Sequence, residues 1–173
     1  PEKVALLKAR GVERVSIGVQ SFVEAEAANS GRPQRRAEVD AALSLLRGAN
    51  FPVLNLDLIY GLPGQTAGSW RYSLREALRY APEELYLYPL YVRPLTGLGR
   101  SHKEWDDDRL ALYRDGRDLL LSEGYEQVSM RMFRRGVARS EGPAYCCQTD
   151  GMVGLGCGAR SYTRGLHYSL DYA

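Results

Sequence analysis

The chain has 173 residues, 45% of them hydrophobic and 25% charged, enough to bury a core of ordinary globular size. Its formal net charge of +2 is too small to argue for nucleic acid or an acidic membrane surface as partner. No run approaches the ~18 apolar residues that cross a bilayer, and no charged stretch leading into an apolar one marks a signal peptide. No Met precedes Met130, and the first ten residues read as the middle of a helix, so the expectation is a piece of a soluble protein. Cys146, Cys147 and Cys157 are odd in number and two are adjacent, which argues against a secreted disulfide framework and for the cytoplasm.

Val4, Leu6, Leu7 and Ala9 suit a short helix that Gly11 ends. Val12 to Gln20 then alternates, with Val15, Ile17 and Val19 on one face and Ser16, Gly18 and Gln20 on the other. A stretch of small and polar residues leads to a helix over 37–46, whose stripe is Val39, Ala42, Leu43 and Leu46. Pro52 to Tyr60 is the next strand, apolar on both sides except at Asn55 and Asp57, which share a face. Gly61-Leu62-Pro63-Gly64 makes a turn, and Thr66 or Ser69 caps a helix carrying Trp70, Leu74, Ala77 and Leu78. A third strand covers 85–90. Strands recurring at about 35 residues with helices between them are the signature of βα units on a parallel sheet. The second half changes character. Asp106, Asp107 and Asp108 open a helix reaching Leu121, and Gly124 ends it. Alternation then predicts strands over 127–133, 153–162 and 166–170. The fold class is therefore α/β, with residues 1–97 as barrel-type βα units and 98–173 as an α+β segment.

The polar face of the first two strands carries the first functional signal. Large apolar residues of a βα barrel face its outer helices, so small and polar groups on the inner face leave room for a ligand. Gln20 and Asp57 lie near the C-terminal ends of their strands, where barrel active sites sit. A packed core with satisfied polar groups explains the same pattern. The turn after Tyr60 reads as an ordinary βα loop; a phosphate cradle is the alternative, though the P-loop Lys and spacing are missing. Gly154-Leu155-Gly156-Cys157-Gly158 lacks dinucleotide-fingerprint spacing, and close backbone approach explains it better. Cys146 and Cys147, as neighbours in an extended segment, point to opposite sides. His102 and His167 have no ligand spacing, and no metal ligands are assigned. Arg131, Arg134, Arg135 and Arg139 form a local basic patch that reads as a solvated face.

Several strings together match one family. Residues 11–22, GVERVSIGVQSF, resemble its GVNRISIGVQSF segment, and residues 55–66, NLDLIYGLPGQT, resemble NIDLIYGLPGQT, with Trp70 in its usual place. Residues 82–89 are similar to PEHISLYP, and 154–162 to GLGAGAHSY. The family is that of the oxygen-independent coproporphyrinogen III oxidase-like radical S-adenosylmethionine (SAM) proteins, which includes heme chaperones. The resemblance implies the C-terminal part of a partial (βα)₆ TIM-like barrel followed by the post-barrel segment. It implies SAM and a [4Fe–4S] cluster as cofactors, cleavage of SAM to a 5′-deoxyadenosyl radical, and hydrogen abstraction from a small-molecule substrate, a porphyrin-like one included. The electron donor would be a protein such as a flavodoxin or ferredoxin. By position, Gln20, Arg32 and Asp57 match residues that contact SAM, with Arg32 near its carboxylate. Tyr91 matches a position whose backbone lies close to SAM, and Arg160 one where the post-barrel segment approaches cofactor or substrate. The Cys-x-x-x-Cys-x-x-Cys cluster motif is absent from these residues, so this piece alone is expected to be inactive. Arg160 stands where the family often has His, and Tyr145, Cys146 and Cys147 replace its Asn and Trp. A divergent subgroup is implied. Two other functions remain open: heme trafficking on the same scaffold, and a non-radical barrel enzyme that binds a phosphorylated substrate at residues 61–64.

Overall fold

In the computed structural model, which describes residues 1–91, 108–136, 151–163 and 165–170, the first alternating segment forms β1 (Arg14–Gln20). It follows helix α1 (Glu2–Ala9), which Gly11 ends at φ 72°, a backbone angle suited to glycine. The other expected elements of the first half form as β2 (Val53–Tyr60), β3 (Glu84–Pro89), α3 (Arg36–Gly48) and α4 (Ala67–Leu78). A short helix α2 (Glu24–Asn29) occupies part of the stretch of small and polar residues, where too few apolar residues exist to give it a stripe. Thr66 caps α4 in a reciprocal pair: the Ser69 amide donates to Thr66 Oγ1 at 3.1 Å and the Thr66 amide to Ser69 Oγ at 2.9 Å. Such caps contribute about 1 kcal/mol.

The strands β1, β2 and β3 pair in parallel. After α5 (Arg109–Ser122) come β4 (Tyr125–Gln127) and β5 (Met132–Arg135). β5 pairs antiparallel with β3 and β4 antiparallel with β5, giving the order β1-β2-β3-β5-β4. The single strand expected over 127–133 is thus a tight reversal. The hydroxyl of Ser129 accepts from the amides of Met132 at 3.1 Å and Arg131 at 3.3 Å, turning the chain between the two strands.

One face of this sheet is apolar throughout. Leu54, Leu56, Leu58, Leu85 and Leu87 pack with Leu43 and Leu46 of α3 and Trp70, Leu74 and Ala77 of α4 in one buried cluster, joined by Leu112, Leu120 and Phe133. Each such side chain contributes roughly 1.5–3 kcal/mol by leaving water. α5 docks on α4 through Trp70, whose indole N–H donates to the Leu112 carbonyl at 2.8 Å. A Cβ on Gly116 would come within 2.8 Å of that nitrogen, so the ring's seat requires glycine. Arg71 closes the same helix pair on Asp115, its Nε donating to the two carboxylate oxygens at 2.7 and 2.9 Å and its Nη2 to Oδ1.

Compactness divides the chain into residues 1–138 and 139–173, whereas the organisation read from sequence changes at residue 97. The reason is that α5, β4 and β5 complete the sheet and core begun by the βα units. In the second unit, β6 (Arg160–Thr163) and β7 (Leu166–Ser169) form an antiparallel pair. The longer strand expected from residue 153 is shortened. Gly156 at φ 104° and Gly158 at φ 69° turn the chain, and only Met152 bridges to Tyr162. A Cβ on Gly154 would lie 2.5 Å from the Arg160 carbonyl oxygen, which accounts for this glycine by close backbone approach. Among the described residues no helix is long and apolar enough to cross a membrane.

Candidate functional site

The face of the sheet opposite the helices holds the polar residues of the strands. Register sets Ser16 beside Asn55, Gly18 beside Asp57, and Asp57 beside Tyr86. Asn55 Nδ2 donates to Ser16 Oγ and to Asp57 Oδ1, both at 2.7 Å, and the Ser16 hydroxyl reaches Asp57 Oδ2 at 3.4 Å. Burial raises the Asp57 carboxyl above its ordinary value, against the opposing effects of Asn55, Arg14 and Ser16. Asn55 is buried, yet its Oδ1 has no hydrogen-bond partner among the described residues. Rotating the amide would aim its acceptor at the Asp57 carboxylate, so the orphan acceptor follows from the network itself.

Gln20 closes this face. Its backbone takes φ 65°, and the Ser21 amide donates to the Val19 carbonyl at 2.8 Å, a γ-turn of the strained hand. The pairing of β1 with β2 shifts at the same place, between Gly18 and Gln20. A Cβ on Gly18 would sit 2.5 Å from Gln20 Nε2. The carboxamide therefore lies over Gly18, on the side occupied by Asp57. Residue 18 is glycine because the amide fills the space its side chain would take.

A buried polar network fixes the turn. Ser21 Oγ donates to Glu26 Oε2 at 2.6 Å and lies 3.1 Å from Ser73 Oγ, which accepts from the Phe22 amide at 3.1 Å. Gln65 Nε2 donates to the same Glu26 oxygen at 3.2 Å and to the Ile59 carbonyl at 3.2 Å. Its Oε1 accepts from the amides of Gly61 at 2.7 Å and Leu62 at 3.4 Å. These are amides a phosphate cradle would need, and Gln65 already holds them, so the turn at 61–64 is a tied βα loop. Sequence reading missed Ser21, Glu26 and Ser73. They carry no motif, and only the fold brings positions 21 and 73 together.

The expected site residues fall in four places. Gln20 and Asp57 share one face at the C-terminal end of the parallel strands. Arg32 is exposed just beyond α2, its amide donating to the Ala27 carbonyl at 3.1 Å. Its segment is moored to the end of β1, because Gln34 Nε2 donates to the carbonyls of Val19 and Ser21. Tyr91 follows β3 with its ring largely exposed, and its hydroxyl accepts from Arg131 Nη2 at 2.7 Å. Arg160 is exposed on β6, in the second unit, paired with Ser169. Cys146, Cys147 and His102 lie outside the described residues. The patch of arginines is not one solvated face: Arg134 Nη2 binds Glu84 Oε1 at 2.8 Å, Arg131 lies against tyrosine rings, and Arg139 is outside the described residues.

The described residues fit SAM better than they fit an iron–sulfur cluster. A half-buried carboxylate and a positioned carboxamide on one face suit a polar cofactor. No group of three His, Cys, Asp or Glu side chains converges among the described residues to hold a metal.

Comparison with known proteins shows what the chain is similar to. Residues 1–77 match the Radical SAM superfamily. The chain is 35% identical over 158 residues to the Heme chaperone HemW of Escherichia coli, covering 86% of this chain and 40% of the relative. It is 30% identical over 173 residues to the Oxygen-independent coproporphyrinogen III oxidase of E. coli, covering 90% of this chain and 38% of that protein. The solved structure of coproporphyrinogen III oxidase (HemN) from E. coli, described as a radical SAM enzyme, superposes with a TM-score of 0.76 at 28% identity. That match covers 92% of this chain and 41% of the other. The chain thus spans about 40% of the length of these relatives.

Proposed function

We propose that the chain, whose residues 1–77 match the Radical SAM superfamily and which is similar to heme chaperones and oxygen-independent coproporphyrinogen III oxidases, belongs to that superfamily and forms one wall of a SAM pocket in a radical enzyme. The observation that carries this reading is the seating of the Gln20 carboxamide over Gly18, the residue that register sets beside Asp57 on the polar face. When bound, SAM supplies hydrogen-abstraction chemistry, with the cluster ligands contributed by residues upstream of these. The chain's own residues bind and orient. Asp57 accepts hydrogen bonds from the cofactor's hydroxyl or amino groups, and Gln20, held by its turn, contributes both a donor and an acceptor. Arg32 meets the cofactor carboxylate, and the backbone at Tyr91 approaches the cofactor. Preorganisation matters here, because groups already fixed need no ordering when the ligand arrives.

Asp57 separates ligand binding from stability. A carboxyl whose pKa is raised on folding costs stability once pH exceeds its folded value, because the unfolded chain releases that proton more readily. Asp57→Asn should therefore leave the melting temperature at pH 7 unchanged or higher while weakening SAM binding about 10- to 100-fold, the range set by ~1.5–3 kcal/mol for a hydrogen bond to a charged group. Calorimetric titration of the intact protein with SAM reads this. Equal SAM affinity in both forms would remove Asp57 from the pocket.

A second reading, heme handling on the same scaffold, is favoured by the similarity to the E. coli heme chaperone. The two part on product: the enzyme reading requires 5′-deoxyadenosine to form with substrate present, with a flavodoxin- or ferredoxin-type protein as reductant. Heme transfer without that product would favour the second.

A further inference from the structure

The Ser129 turn delivers one side chain to the rim of the polar face. Arg131 is fixed by its carbonyl, which accepts from the Leu87 amide at 2.9 Å. Its guanidinium carbon lies 5.5 Å from the Tyr88 ring centre and 5.7 Å from that of Tyr91, whose hydroxyl it also holds. Tyr88 pairs with Ile59, two residues beyond Asp57. Burial and then the Asp57 charge push the Tyr88 phenol up, which places that carboxylate close by. Arg131 therefore stands at the same strand end as Gln20 and Asp57.

Among the described residues, its lack of a carboxylate partner is unusual for its burial. The half-buried Arg36, Arg47 and Arg134 each end on a glutamate. Among the described residues no carboxylate pairs with Arg131, although it is half-buried and held by two rings and a hydroxyl. A guanidinium has five N–H donors in a fixed fork, and among the described residues Tyr91 engages only one side of it. Beside it, Tyr86 and Tyr88 stack with centroids 5.9 Å apart and planes at 18°, giving a flat, half-buried aromatic surface. The nearby Asp57 charge disfavours a phosphate dianion more than a single carboxylate.

We propose that Arg131, clamped between Tyr88 and Tyr91, is the anchor for a carboxylate of the substrate, whose flat apolar body lies on Tyr86 and Tyr88. The assignment rests on the radical SAM reading of this rim. It gives the cation at position 131 to the substrate, distinct from the one at Arg32 assigned to the SAM carboxylate.

The probe is coproporphyrin III, a fluorescent flat tetracarboxylate, compared with its tetramethyl ester, which keeps the ring and removes the charge. Fluorescence titration of the intact protein should show the acid binding at least tenfold tighter than the ester. Arg131→Gln should weaken the acid at least tenfold and leave the ester and SAM affinities unchanged. Arg131→Lys, a cation without the fork, should fall between, and Arg135→Gln, an exposed neighbour, should match wild type. Wild type that fails to bind the acid, or binds it no better than the ester, overturns the anchor. So does Arg131→Gln that binds the acid normally with native circular dichroism, or that loses SAM affinity equally, which would give the guanidinium to the SAM carboxylate. Wild type that binds no SAM sinks the radical SAM reading instead, while the acid–ester difference still judges Arg131.

Discussion

The two faces of the parallel sheet follow opposite rules although they alternate residue by residue. On the helix side, Leu54, Leu56, Leu58, Leu85 and Leu87 are sealed by α3 and α4, and the indole of Trp70 fits against a glycine. On the other side, Ser16, Asn55, Asp57, Tyr86 and Tyr88 form hydrogen-bonded and stacked groups, with a strained turn at Gln20 and a raised carboxyl. One face holds the fold together, and the other keeps costs that only a ligand would offset. Changes on the first should alter stability and spare ligand affinity; changes on the second should do the reverse.

The sharpest break is Trp70→Ala. It removes a fully buried ring and its bond to Leu112, so urea unfolding should show a loss of about 3–5 kcal/mol, with SAM affinity of the remaining folded fraction unchanged. A parallel loss of affinity would mean that the faces are coupled.

Acid should act next, and through the helix side. Asp40 is held below its ordinary 3.8 by the Tyr80 hydroxyl and by Arg36, and Glu76 is held below its ordinary 4.5 chiefly by Arg36. Arg36 thus ties α3 to α4. Depressed carboxyls add stability above their unfolded values and lose it as pH falls through the folded ones. The melting temperature should therefore be steady toward neutral pH and drop below about 4. In Arg36→Gln that drop should flatten, at a cost near pH 7 of about 1–3 kcal/mol. An unchanged acid limb would remove this cluster from the account.

Gly18→Ala should have the smallest effect on stability, within about 0.5 kcal/mol, since the atom a new Cβ meets is the end of a flexible side chain. It should nonetheless lower SAM affinity several-fold by displacing the Gln20 amide. Normal affinity in this variant would show that the amide's seat over Gly18 is incidental.

The strand alternation and helix spans were readable from periodicity, and so was the polar face with Gln20 and Asp57 on it. The strands over 127–133 and 153–162 were misread for a common reason. Alternation also occurs across a reversal, and the Ser129 bonds and glycine angles that turn the chain leave the apolar pattern intact. Ser21, Glu26 and Ser73 could not be read as a unit, because their bonds span the separation between β1 and α4.

The sequence by itself determined which face of each strand meets the helices, because side-chain direction follows from position along an extended backbone. Tertiary structure decided that Gln20 folds back over Gly18 and that Arg131 stands against two tyrosines. Both depend on register and on a turn, which bring together groups that no local period relates.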